Sequence, residues 1–124
     1  MLQDNYLGRQ IDILARMLSM LLLGLDVTAY FDTASGHAAL DGDAASFAAQ
    51  LNALVTDGNI GVAEDTLFDL LDEDAPRYVI QSAIVFYLRL NNLRDQTLED
   101  GGFSKEEILD GLNEMKEIFG VETD

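Results

Sequence analysis

Hydrophobic residues recur along most of this chain with the spacing of α-helices. In the first segment the apolar positions advance by alternating steps of four and three residues, at Leu7, Ile11, Leu14, Leu18, Leu21 and Leu25. Polar residues occupy the opposite side of the same segment, at Arg9, Asp12, Arg16 and Ser19. Residues four apart are neighbours on a helix, so Asp12 and Arg16 are placed to form an ion pair. The pattern predicts an amphipathic helix.

The apolar side of this first helix is unusually broad. Tyr6, Ile13, Met17 and Met20 extend it to an arc of roughly 200°, of which one packing neighbour covers about half. The helix is therefore either wedged between two others of its own chain or partly turned toward a partner, a role that suits methionine. A possible homodimer through this helix would divide four side chains between core and interface: Leu14, Met17, Leu18 and Leu21.

The same segment is not predicted to enter a membrane. Its uninterrupted apolar run is far shorter than the roughly 20 residues that a membrane span requires. A signal peptide would begin with basic residues, whereas Asp4 comes early here. The segment is predicted to be a helix of a cytoplasmic protein.

Four further helices are predicted downstream. Asp43 caps the second helix, which carries Phe47, Leu51, Leu54 and Val55 and ends at Gly58, a residue suited to a left-handed C-cap. The third helix runs from about Ile60 to Leu71. Its inward residues are predicted to be Ala63, Leu67, Leu70 and Leu71.

The fourth and fifth predicted helices differ in how they present apolar residues. Pro76 opens the fourth, which is apolar on nearly every side and is therefore expected at the centre of the core. Ser104 and Glu107 form a capping box at the start of the fifth, and Phe103 against Ile108 fits a hydrophobic staple. The inward stripe of the fifth helix is predicted at Ile108, Leu112, Met115 and Phe119.

Residues 27–42 show no sustained period and are predicted to be a flexible linker, with a short helical turn around Tyr30 and Phe31. No β-like alternation is visible in the sequence. We therefore predict an all-α protein, a five-helix bundle that forms a single domain over residues 1–124.

The charge of the chain excludes several classes of partner. The formal net charge is -16, and residues 26–74 contain 11 acidic residues and no basic one. Such a surface repels phosphates and anionic headgroups, so neither direct nucleic-acid binding nor membrane binding is expected.

No residue set in the sequence has the pattern of a catalytic, cofactor-binding or metal site. The chain has no Cys, and its single His37 is expected in an exposed loop. Carboxylates share a face of the third helix and of the last, at Asp65, Asp69, Asp72, Glu107, Asp110, Glu114 and Glu117. They lack the alternating oxygen ligands and central Gly of a calcium loop, so each stripe is interpreted as a solvated helix face.

One segment resembles a known repeat. "DGNIGVAEDTLFDLLDEDAP", residues 57–76, resembles the second half of a tetratricopeptide repeat, with a Gly turn, a small Ala63, large residues at Leu67 and Leu70, and a Pro. Together with "DNYLGRQIDILARMLSMLLLG" and the region from "FYLRLNNL" to "GGFSKEEILDGL", it resembles a family of small uncharacterised bacterial all-helical proteins. That resemblance implies a helical, TPR-like (repeat-like) fold in a bacterial cytoplasm and no assigned activity or cofactor.

Three functions are compatible with these features. The first is a non-enzymatic helical module that binds or scaffolds another protein, as repeat-like hairpins commonly do. The alternative is an acidic decoy that occupies the basic site of a nucleic-acid-binding protein. An enzyme has the weakest support, because no nucleophile–base set is recognisable.

Overall fold

The described part of the chain consists of six helices and one short hairpin. The computed structural model describes residues 2–24, 31–32, 37–38 and 42–121. The helices are α1 (Leu2–Leu23), α2 (Gly42–Thr56), α3 (Ile60–Leu70), α4 (Arg77–Asn91), α5 (Asp95–Asp100) and α6 (Lys105–Ile118). The strands β1 (Phe31–Asp32) and β2 (His37–Ala38) pair antiparallel, with Phe31 opposite Ala38. The all-α prediction is confirmed apart from this hairpin.

Helix α4 lies at the centre of the hydrophobic core and contacts α1, α2, α3 and α6. Nine of its apolar residues are buried, and Tyr78 is half-buried against the core; the nine are Val79, Ile80, Ala83, Ile84, Val85, Phe86, Tyr87, Leu88 and Leu90. A helix that is apolar nearly all round needs neighbours on every side, and α4 has them. The prediction of a central fourth helix is confirmed.

Helix α1 packs against both α4 and α6. Ile11, Ala15 and Leu18 are fully buried on the packed side. Ser19, predicted on the polar side, is also fully buried. That assignment was wrong because the two neighbours together cover a wider arc than one packing helix would.

Helices α2 and α3 form a tight hairpin. Gly58 adopts φ 83°, and its N–H donates to the Val55 carbonyl at 3.0 Å while the Asn59 N–H donates to the Leu54 carbonyl at 2.8 Å. These bonds satisfy the last carbonyls of α2, and they confirm Gly58 as a left-handed C-cap. Helix α2 begins at Gly42, so Asp43 lies in its first turn and not at its cap.

The second half of the fold departs from the sequence prediction in two details, at the end of α3 and at α5. Leu70 was predicted to point inward, but it is exposed, because α3 ends there and Leu71 takes the buried position. The bundle also has a sixth helix, α5, which the five-helix prediction missed because only Leu98 of its six residues is buried. At α6 the Glu107 N–H donates to Ser104 Oγ at 3.2 Å, so the predicted cap is present.

Polar side chains join the helices across long sequence separations. Arg77 Nη2 donates to the Leu23 carbonyl at 2.7 Å and so holds the end of α1 beside the start of α4. Asn91 Nδ2 donates to the Gly8 carbonyl at 3.0 Å, and Lys105 Nζ donates to the Asn91 carbonyl at 2.8 Å. These bonds fix the first, fourth and sixth helices relative to one another.

The predicted linker at 27–42 lies largely outside the described residues. Of the helical turn expected around Tyr30 and Phe31, Tyr30 is outside them and Phe31 belongs to β1. None of the described helices combines the length and apolarity needed to cross a membrane.

Candidate interaction surfaces

The first candidate surface is the side of α1 that faces away from the bundle. Its large apolar side chains are exposed: Ile13 by 64%, Tyr6 and Leu21 by 58% each, and Met20 by 54%. Met17, at the middle of this side, is partly buried against the core. These five residues form what we call the outer face of α1. Contiguous exposed apolar residues on a helix mark an interaction surface.

The four residues proposed from the sequence as a self-association surface are divided by the fold. Leu14 and Leu18 are buried in the core, and Leu21 is exposed on the outer face. Met17 lies between the two environments. At 100° per residue, Leu14 and Leu18 project toward α4 and α6, whereas Ile13 and Met20 project away from them.

Polar groups lie both at the edge of the outer face and within it. Arg16 Nε lies 3.1 Å from Asp12 Oδ2, which confirms the predicted i,i+4 pair. Gln10 Nε2 donates to the Tyr6 hydroxyl at 2.9 Å within the face itself. Both pairs are exposed, so they orient side chains and contribute little to stability.

The second candidate surface is an acidic groove between α3 and α6, with a volume of about 550 Å³. Its lining residues are Glu64, Glu107, Asp110, Gly111, Asn113, Glu114, Lys116 and Glu117. The carboxylates predicted on one face of the last helix therefore all border this groove. Those predicted on α3 do not: Asp65 and Asp69 are exposed elsewhere, and Asp72 lies beyond the end of the helix.

A partly buried hydrogen bond lies next to the acidic groove, at its lining residue Glu64. Tyr87, on α4, is fully buried, and its hydroxyl donates to Glu64 Oε2, on α3, at 2.6 Å. Burial raises the pKa of Glu64, the Tyr87 hydrogen bond opposes that rise, and Glu107 and Glu114 add to it. Burial also raises the pKa of Tyr87 far above its usual range, so Tyr87 stays protonated and remains a donor.

Helix α6 contributes a glycine at this point. A Cβ on Gly111 would overlap the hydroxyl oxygen and Cζ of Tyr87 and would lie 2.8 Å from its Cε1. Because glycine has no side chain, the Tyr87 ring can pass close to the α6 backbone and its hydroxyl can reach α3. Three helices thus meet at Tyr87, Glu64 and Gly111.

Sequence reasoning did not identify this three-helix contact, because its members are far apart along the chain. One signal was present, however: Gly111 interrupts the strongly periodic "EEILDGLNEM", and an isolated Gly inside a helix often has a packing reason. His37 lies in β2 and not in a loop. Within the described ranges, no group of three His, Cys, Asp or Glu side chains is placed to hold a metal ion.

The fold and the two surfaces define a small, acidic, mainly helical protein built around one buried helix. Comparison of sequences then places it in a family: the chain belongs to the family of unknown function DUF6483, whose model matches residues 1–120. Neither a curated protein nor a solved structure matches the chain.

Proposed function

We propose that this chain is a non-enzymatic helical module that binds or scaffolds another protein through the outer face of α1. The observation that carries the proposal is the exposure of Tyr6, Ile13, Met20 and Leu21 on a helix whose other side is tightly packed. Large apolar side chains at a centre, with polar groups at the edge, are the usual composition of a protein-binding surface.

Two further features support a scaffold function. The α2–α3 hairpin has the Gly turn and the small Ala63 of a tetratricopeptide-like unit, and Ala63 is fully buried. Helical hairpins of this kind commonly present surfaces to other proteins. The non-enzymatic part of the proposal rests on the sequence, which has no Cys and a single His, and the absence of Cys also fits the proposed bacterial cytoplasmic location.

The test is affinity capture from native lysate by the immobilised full chain, with two variants that place a charge on an exposed apolar position. Ile13→Asp disrupts the outer face, whereas Val62→Asp disrupts an exposed apolar residue of α3 and serves as the matched control. We expect specific partners to be held by the unaltered chain and by Val62→Asp but lost by Ile13→Asp. Equal capture by all three proteins would contradict the proposal.

A second candidate function, an acidic decoy for a nucleic-acid-binding protein, is favoured by the groove carboxylates Glu107, Asp110, Glu114 and Glu117. Exposed charge pairs are screened by salt, so a partner held at the groove would be released at high salt and by Glu114→Gln. A partner held at the outer face would resist both changes and respond to Ile13→Asp.

A further inference from the structure

The side of α1 that faces away from the bundle has a second repeat, which is distinct from the inward one and overlaps the outer face. The positions facing away from the bundle advance by steps of four, three, four, three and four: Tyr6, Gln10, Ile13, Met17, Met20 and Gly24. All are exposed except the partly buried Met17. Alternating steps of three and four place side chains along one seam of a helix, the pattern by which two helices pack in a coiled coil.

We infer that the occupant of this seam is a second copy of the chain, with the two α1 helices packed antiparallel about a two-fold axis level with Ala15. The inference rests on the proposed function, because four of the six seam positions belong to the outer face: Tyr6, Ile13, Met17 and Met20. The steps between seam positions are the same from either end of the helix. Two antiparallel copies of the seam therefore place every seam position opposite another seam position. Ile13 then faces Met17 of the second copy, Gln10 faces its Met20, and Tyr6 faces its Gly24.

The sizes of the facing residues favour the antiparallel arrangement. Tyr6 is the largest side chain of the seam, and Gly24, which has no side chain, is exposed with φ 71° at the end of α1. In an antiparallel pair each tyrosine ring lies at the level of a glycine. In a parallel pair the two Tyr6 rings would share one level. Antiparallel packing also brings the positive end of each helix dipole near the negative end of the other.

The distribution of charge makes the seam of α1 the most favourable face for a contact between two copies of the chain. Within residues 6–24 the charged residues are Arg9, Asp12 and Arg16, a net charge of +1 on a chain whose formal net charge is -16. None of the described α1 residues lines the acidic groove, so two copies that approach through α1 do not place the groove carboxylates Glu107 and Glu114 in the contact. Acidic faces that stay on the outside of the pair are screened beyond about 8–10 Å at physiological salt.

The length of the seam limits the affinity. Residues 6 to 24 of a helix span about 27 Å. A contact made by one helix over that distance is smaller than the roughly 1,200–2,000 Å² of a standard stable interface. We therefore expect a dissociation constant on the order of micromolar.

Sedimentation equilibrium of the full chain across the micromolar range tests the inference. We expect a monomer–dimer equilibrium that Ile13→Asp weakens by at least about tenfold, or 1.4 kcal/mol. Because Ile13 is exposed, circular dichroism and thermal unfolding should show that this variant remains folded. Val62→Asp, which adds the same charge to α3, should leave the dimer unchanged. A strict monomer at hundreds of micromolar, or a dimer unaffected by Ile13→Asp, would overturn the inference.

Cysteine cross-linking tests the orientation, since the chain has no Cys of its own. Under mild oxidation, a mixture of the Ile13→Cys and Met17→Cys variants should form the mixed disulfide in preference to either symmetric one. Tyr6→Cys should not cross-link, because its two copies would be about 27 Å apart along the axis, beyond the roughly 4–7 Å between the Cα atoms of a disulfide. Rapid cross-linking of Tyr6→Cys would overturn the antiparallel arrangement.

The two proposals fail in different ways. If the chain is a monomer but Ile13→Asp abolishes capture of a different protein, the outer face binds that protein and the second-copy inference is wrong. If Ile13→Asp changes neither self-association nor capture, both proposals are wrong.

Discussion

Replacing Gly111 by Ala tests whether close packing at the three-helix contact outweighs helix propensity. Gly111 lies inside α6, where Ala is intrinsically more favourable than Gly by about 1 kcal/mol. Propensity alone therefore predicts that Gly111→Ala stabilises the protein. The structure predicts the opposite, because the added Cβ would overlap the hydroxyl group of Tyr87.

The expected loss of stability follows from the packing and the hydrogen bond of Tyr87 that the added Cβ would disturb. Tyr87 is fully buried, and its hydroxyl donates to Glu64 at 2.6 Å, so the ring cannot retreat without weakening that bond. Overpacking a core typically costs about 1–3 kcal/mol, and a hydrogen bond to a charged group contributes about 1.5–3 kcal/mol. After subtracting the gain of about 1 kcal/mol from propensity, we expect Gly111→Ala to destabilise the chain by about 1.5–5 kcal/mol.

Equilibrium unfolding in urea, with the midpoint and slope fitted separately, measures the effect. Gly61→Ala in α3 is the matched control, because a Cβ there would meet nothing within 4 Å. We expect the control to gain a few tenths to about 1 kcal/mol. In a Tyr87→Leu background the cost of Gly111→Ala should largely disappear, since the ring is absent. A stabilisation by Gly111→Ala similar to that of Gly61→Ala would refute the reasoning.

Three other substitutions examine the core, a helix cap and the acidic groove. Phe86→Ala should cost about 3–5 kcal/mol in the same urea assay, as expected for a buried Phe of the central helix; a loss below about 1 kcal/mol would mean that α4 is not the centre. Ser104→Ala should cost about 1 kcal/mol through loss of the α6 cap, and an unchanged midpoint would show that the cap is dispensable. Burial raises the pKa of Glu64 in the folded state, so ionisation of this carboxyl opposes folding. The free-energy cost is absent below the pKa that Glu64 has in the unfolded chain, and it grows as the pH rises through the higher pKa of the folded state. The free energy of unfolding of Glu64→Gln minus that of the unaltered chain should therefore be larger at neutral pH than at pH near 4. A difference that does not change with pH would contradict burial as the cause.

The sequence predicted the helical class and the helix that lies at the centre of the core, because both depend on local periodicity. Helix α4 could be identified as central from its own composition, since an all-round apolar helix has to be covered on every side. The cap at Ser104 and the left-handed turn at Gly58 could also be predicted, because both depend only on residues nearby in the sequence.

What could not be predicted depends on which helices meet. The broad arc of α1 was visible in the sequence, but the division between buried Leu18 and exposed Ile13 depends on where α4 and α6 cross it. Helix α5 offers only Leu98 to the core, which is too little for a periodic signal in six residues. The contact between Tyr87 and Glu64 spans 23 residues, so no local pattern encodes it.

The position of α1 in the bundle has a consequence for biosynthesis. Its inward side is covered by α4 and α6, and α6 ends at Ile118, 95 residues after the end of α1 at Leu23. At the usual rate of 5–20 residues per second, roughly 5–20 s of translation separate the two helices. During that time Ile11, Leu14 and Leu18 of the growing chain are not yet buried by α6. Chains whose synthesis stops before α6 should therefore be substrates for chaperones and proteases, whatever the finished protein binds.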